Sequence, residues 1–193
     1  ITACLHSPTP HDTSLTITHT HPQSIINPHN THITYYSDTF PEARITGIDL
    51  SPYMLAVANF ERRNKEGGDR IDYVFGAGER MAPHLDDGPV DLVSMCLVSH
   101  ELPEAVTRDI YAEAFNILES GGAFSIMDID PLSEFFLKFR RNRIAYAGFK
   151  STEPWLDQYC EMDMVSRMEE VGFIDVSVRS NSKRHRTVVG WKP

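Results

Sequence analysis

The sequence predicts an α/β fold, a Rossmann-like and mostly parallel sheet with helices on both faces and a C-terminal antiparallel β-hairpin. Three observations predict it. Residues 44–49, 71–75, 90–98 and 123–129 are short apolar or alternating runs with glycine or proline close by. Helical stripes lie between them, and that succession calls for parallel strands joined by right-handed crossovers. Residues 174–178 and 186–191 then read as two strands joined by a short polar turn. The chain has 193 residues, 41% of them hydrophobic, enough for a single domain with a sizeable core.

Residues 1–35 read as an irregular segment rich in His, Thr and Pro. Six of the nine histidines (His6, His11, His19, His21, His29, His32) fall there, and no Lys or Arg precedes Arg44. Only residues 14–21 alternate enough to suggest a short strand. His19 and His21 would share one side of it and could pair on a metal. With no cysteine or carboxylate at fixed spacing, a histidine-biased tail accounts for them better. The segment has neither the basic start and apolar core of a secretory leader nor the arginines of a transit peptide. It opens on Ile1 instead of Met, which reads as a fragment or an atypical translation product.

The regular domain is expected over 36–193. Arg44 to Asp49 form a strand that ends in an acid. Ser51 and Pro52 supply an N-cap and a first-turn proline for a helix carrying Met54, Leu55 and Ala58, which Gly67 and Gly68 stop. Residues 71–75 alternate as a strand, and 90–98 form a nearly continuous apolar run of the kind covered on both faces. Pro103 opens a helix whose Val106, Ile110, Ala114, Ile117 and Leu118 share one stripe. Gly121 and Gly122 end it before the strand 123–129. Residues 135–149 mix aromatics with Lys138, Arg140, Arg141 and Arg143 in one helix outside the sheet. Met164, Val165, Met168 and Val171 line a helix that closes at Gly172.

Composition excludes several classes. A formal charge of −9 argues against a nucleic-acid surface. No apolar run approaches the ~20 residues of a membrane span. Cys4, Cys96 and Cys160 lie far apart without a Cys-x-x-Cys, which excludes a disulfide scaffold and a thiolate zinc knuckle. The expectation is a soluble, cytoplasmic protein whose oligomeric state the sequence leaves open.

Ligands of an open parallel sheet sit beyond the carboxyl ends of its strands. Asp49 stands at one such end, where its carboxylate could accept hydrogen bonds from both ribose hydroxyls or take backbone amides of the following helix. Gly76, Ala77 and Gly78 follow the next strand, either letting backbone approach a flat ring or simply turning. Ser99, His100 and Glu101 follow the third, where His100 could act as a general base or be a hydrogen-bonded structural histidine. Asp128 and Asp130 end the fourth; two carboxylates alone make no metal site.

In order and spacing these positions resemble the class I S-adenosylmethionine-dependent methyltransferases, from about Phe40 to the C-terminus. The stretch Phe40-Pro41-Glu42-Ala43-Arg44-Ile45-Thr46-Gly47-Ile48-Asp49-Leu50-Ser51-Pro52-Tyr53-Met54-Leu55 resembles that family's second strand with its ribose-binding acid. Val90-Asp91-Leu92-Val93, His100-Glu101-Leu102-Pro103 and Leu118-Glu119-Ser120-Gly121-Gly122 resemble its fourth strand and following helix. Within the family the chain looks most like the small-molecule and quinone-type enzymes. The resemblance implies S-adenosylmethionine as cofactor, with Asp49 on the ribose, Leu50 and Met54 on the adenine, and Ala77 and Gly78 at the adenine edge. It implies Cys96 and Leu97 at the methionine end, His100 as catalytic base, Asp128 and Tyr146 at a small-molecule acceptor, and no metal. Arg184, His185 and Arg186 could hold an anionic acceptor, though a solvated turn explains them better. The stretch 135–149 suits a lid over the acceptor more than a membrane surface.

One departure stands out. No glycine precedes Gly47, so the family's N-terminal glycine-rich loop and its first strand are expected to be missing or replaced. That motivates an alternative reading, a catalytically inactive or truncated methyltransferase-like protein without cofactor binding. A third, an NAD-dependent oxidoreductase, is disfavoured by the same missing loop and by the terminal hairpin.

Overall fold

The computed structural model describes residues 2–6, 31–85 and 88–193. The strand expected within residues 14–21 and the His19/His21 pair lie outside the described residues. Among the described residues seven strands form one sheet, in the order β3-β2-β1-β4-β5-β7-β6. They are β1 (Thr2–His6), β2 (Arg44–Asp49), β3 (Ile71–Phe75), β4 (Val90–Cys96), β5 (Leu118–Ile129), β6 (Ile174–Ser180) and β7 (His185–Trp191). The pairs β2/β3 and β4/β5 are parallel, as the strand–helix–strand pattern requires. The closing hairpin is antiparallel, with β7 between β5 and β6.

The central position is filled in an unexpected way. β1 lies between β2 and β4 and runs antiparallel to both, pairing Thr2 with Ile48 and with Met95. The start of β1 therefore lies at the carboxyl edge, beside the ends of β2 and β4. A five-residue strand carries too little alternation to be recognised alone.

Among the described residues, seven helices accompany the sheet: α1 (Thr31–Thr39), α2 (Pro52–Arg63), α3 (Glu104–Ile117), α4 (Glu134–Arg141), α5 (Arg143–Lys150), α6 (Leu156–Glu161) and α7 (Met164–Val171). The core divides by strand alternation. One face gathers Ile33, Ile45, Ile71, Leu92 and Ala123 under α1; the other gathers Ile48, Val93, Met95, Phe124 and Ile126 with Ile110, Tyr111 and Met168 from α3 and α7. At Gly47 of β2, Ile33 of α1 and Tyr73 of β3 pack directly on the backbone. A Cβ there would stand 2.6 Å from the Tyr73 ring and 2.9 Å from Ile33. Across the same face Tyr36 and Ser94 share a hydrogen bond of 2.8 Å.

Two expected boundaries change. The helix opened by Pro103 ends at Ile117 and the chain extends at once into β5, so Gly121 and Gly122 sit within the strand. The single helix expected over 135–149 is two, divided at Asn142, whose extended backbone breaks the turn and whose side chain accepts a hydrogen bond from the Ala145 N–H at 3.2 Å. Gly172, with φ 118°, ends α7 as expected. Among the described residues no helix is long and apolar enough to cross a membrane.

Candidate functional site at the carboxyl edge

The carboxyl ends of β2, β3, β4 and β5 bring the candidate residues to one edge of the sheet. Asp49 closes β2, and its Oδ1 accepts the Ser51 N–H at 2.6 Å while Ser51 caps α2. The local use of that carboxylate, steadying the strand-to-helix turn, is thus present. Phe75 pairs with Asp49 in register at the end of β3 and is 62% exposed. Leu50 is 59% and Tyr53 69% exposed, while Met54 is half-buried in the first turn of α2. Three large apolar side chains left in water beside one carboxylate are unusual for a structural edge and suit an apolar ring carrying a diol. Ala77 and Gly78 are half-buried just beyond. Gly76 serves packing, since a Cβ there would stand 2.4 Å from the His84 ring.

At the end of β4, burial first and then the Asp128 charge push the Cys96 thiol up to about 11, so it is a thiol at neutral pH. Leu97 turns the chain with φ 55°, a conformation costly for a non-glycine residue, while its N–H still bonds Met127 across to β5 at 2.8 Å. This turn delivers a 3-10 segment, Ser99–Glu101, whose His100 meets Asp128.

His100 Nδ1 lies 2.6 Å from Asp128 Oδ1, and the His100 backbone N–H donates to Oδ2 at 3.3 Å. The Ile129 N–H donates to Oδ1 at 2.7 Å. Asp128 is 1% exposed and His100 7%. The imidazole stands edge-on to the Tyr159 ring, centroids 6.2 Å apart, and the Tyr159 hydroxyl is tied to the Ile129 carbonyl. Burial disfavours the charged imidazole, but the hydrogen bond and charge of Asp128, with the charges of Glu101 and Glu153, outweigh it. The His100 pKa is therefore held above the ordinary 6.5. Glu101 is raised as well, by burial and by Glu153.

The acids Asp128 and Asp130 part company. Asp130 caps the turn after β5, accepting the Leu132 N–H at 3.0 Å. Tyr146, on α5, packs against Phe136 and Phe139 and donates to Asp157 at 2.6 Å, not to the His100 pair. Arg184 stacks over Phe135 with its guanidinium carbon 4.2 Å from the ring centroid, and Arg186 stands opposite Asp128 in register. The structure thus brings His100 and Asp128 together, places Asp49, Leu50, Cys96 and Leu97 along the same edge, and sets Tyr146 apart. The sequence reading missed Glu153 and Tyr159 as neighbours of His100; both come from around α6, which carries no periodic signal.

A methyltransferase-domain family model matches residues 30–126, half of the chain. Erythromycin 3''-O-methyltransferase of Saccharopolyspora erythraea is 26% identical over 153 residues, covering 76% of this chain and 48% of that protein. Among solved structures, an O-methyltransferase family protein from Burkholderia thailandensis superposes with a TM-score of 0.62 at 17% identity, over 84% of this chain and 47% of that one. Human N-acetylserotonin methyltransferase, solved in complex with S-adenosylmethionine, gives a TM-score of 0.56 at 14% identity, over 83% of this chain and 44% of that one. The chain spans about half the length of the curated relatives it matches. With the sheet order and the terminal hairpin already described, these matches make the chain a member of the methyltransferase-domain family, within the class I methyltransferases whose cofactor is S-adenosylmethionine.

Proposed function

We propose that this chain transfers a methyl group from S-adenosylmethionine to a hydroxyl of a small organic acceptor, with His100 as the catalytic base. The observation that carries the reading is the buried His100–Asp128 pair, 2.6 Å across, on the same edge as Asp49. The named activity of the Saccharopolyspora relative, an O-methyltransferase, supports oxygen as the accepting atom.

The donor set fits the cofactor's nucleoside half. Asp49 would hold the ribose hydroxyls, with Leu50, Met54 and Phe75 around the adenine and Ala77 and Gly78 at its edge; Cys96 and Leu97 would border the methionine end. When bound, S-adenosylmethionine supplies an electrophilic methyl group on a sulfonium. Most of the acceleration in such a transfer comes from alignment of the two partners. The chain's own chemistry is the handling of one proton. Asp128 holds the Nδ1 pole of His100, which fixes the tautomer and leaves Nε2 to receive the acceptor's hydroxyl proton. Asp128 is too deeply buried to touch an acceptor and acts through His100. Tyr146, held by Asp157 and packed on Phe136 and Phe139, has no part in that step.

A second reading has its own observation. β1 runs antiparallel in the central position and no glycine precedes Gly47, so the edge beside Asp49 receives the start of a strand. That arrangement favours a chain that keeps the fold without binding the cofactor. One assay separates the two: transfer of a labelled methyl group from S-adenosylmethionine to a panel of small hydroxylated acceptors. The proposal expects product with the parent chain and a loss of roughly 10²–10⁴-fold in His100→Gln. No product from a folded parent that also fails to bind cofactor supports the second reading.

A further inference from the structure

His100 has a second pole that the hydrogen-bond network leaves unused. Nδ1 is occupied by Asp128, and Nε2 has no hydrogen-bond partner among the described residues although the side chain is 91% buried. Around Nε2 stand two carboxylates. Glu101 Oε1 lies 4.0 Å away, and Glu153 arrives from the connection between α5 and α6. One ligand atom from each of His100, Glu101 and Glu153 lies within 4.8 Å of the others. Three carboxylates, counting Asp128, thus converge on a single imidazole, an accumulation of like charge that a cation would relieve.

We propose that His100 Nε2, Glu101 and Glu153 form a binding site for a divalent first-row metal ion, with manganese(II) the best match. Histidine ligands characteristically donate their other ring N–H to a carboxylate, and Asp128 stands in that place. One imidazole nitrogen and two carboxylates are a harder donor set than histidine clusters, which suits manganese(II). Glu101 is exposed and Glu153 half-exposed, so both side chains can close the short remaining distance. The inference rests on where His100 lies in the proposed acceptor site, not on its use as a base. Ion and proton need the same Nε2 lone pair, so the loaded site is inhibited for the base-driven transfer.

The test is titration of the full chain with MnCl2, following loss of the free-ion signal by electron paramagnetic resonance. The parent should bind a tight ion that Glu101→Gln/Glu153→Gln, checked for folding by circular dichroism, does not. Asp128→Asn should weaken it roughly 10–100-fold. Replacing His11, His19, His21, His29 and His32 with asparagine should leave the tight site unchanged. No tight binding by the parent, equal binding by the double variant, or loss of the site with the opening histidines would overturn the proposal. Manganese binding by a chain that, stripped of metal, still transfers no methyl would keep the metal site and defeat the proposed function. Methyl transfer by a chain that binds no manganese would do the reverse.

Discussion

The two halves of the carboxyl edge are built on opposite principles. Beside Asp49 the surface is open, with Leu50 and Phe75 59% and 62% exposed and a carboxylate half in solvent. At His100 and Asp128, 7% and 1% exposed, every oxygen of the acid is engaged and the ring is held between Asp128 and Tyr159. Apolar side chains kept in water are a cost that a bound ring can recover, which supports the proposed use of the first half for binding. A proton acceptor needs a fixed tautomer and direction, which supports the proposed use of the second for orientation.

That contrast can be broken by substitution. The largest effect is expected at the buried half, where His100→Gln should lower methyl transfer roughly 10²–10⁴-fold while cofactor affinity measured by calorimetry stays the same. Asp128→Asn should follow it, with a loss on the order of 10²-fold, because the neutral amide no longer selects the tautomer or balances the imidazolium. A cofactor affinity that falls with either would mean that the halves are not separate. At the open half the pattern inverts. Asp49→Ala removes hydrogen bonds to a charged group worth about 1.5–3 kcal/mol, so affinity should fall roughly 10–100-fold, with a modest drop in Tm from the lost Ser51 N–H contact.

The titration of His100 sharpens the same distinction. Transfer needs the neutral ring, so in metal-free buffer the rate should rise with pH through a value above 6.5. Stability should move the other way. A histidine whose pKa is raised on folding contributes stability that is fully present below its unfolded value and is lost as pH rises through the folded one. Tm and rate should therefore have opposite slopes over that window, and Asp128→Asn should flatten both. The smallest effect lies away from the edge. Tyr36→Phe takes the partner from the buried Ser94 hydroxyl and should cost about 1 kcal/mol of stability, without touching transfer or affinity.

How much of this was legible varies with the physics of each element. β2, β3, β4 and β7 were readable because burial on one or both faces writes a pattern into the residues. β6, exposed along almost its whole length, was readable instead from its alternation of apolar and polar residues and its short turn to β7. Asp49 was readable for a related reason, since an acid that ends a buried strand before a Ser-Pro cap can lie only at the sheet's carboxyl edge. The break at Asn142 was not, because Phe139, Tyr146 and Phe149 keep a plausible helical spacing across it. β1 was hidden by its length and direction, since strand polarity leaves no mark on five residues. The pairing of His100 with Asp128 depends on the register of β4 against β5, and the approach of Glu153 on a loop between two short helices. Neither is encoded in local pattern, although each candidate of the pair was visible alone.

The proposed methyl transfer requires that an edge rebuilt around a reversed β1 still bind the cofactor through Asp49. Isothermal titration of the chain with S-adenosylmethionine, beside Asp49→Ala, tests it most directly. Saturable binding by the parent is expected, with a roughly 10–100-fold loss in the variant, which remains folded by circular dichroism. No heat from a folded parent at millimolar cofactor, or equal affinity in the two chains, would contradict it.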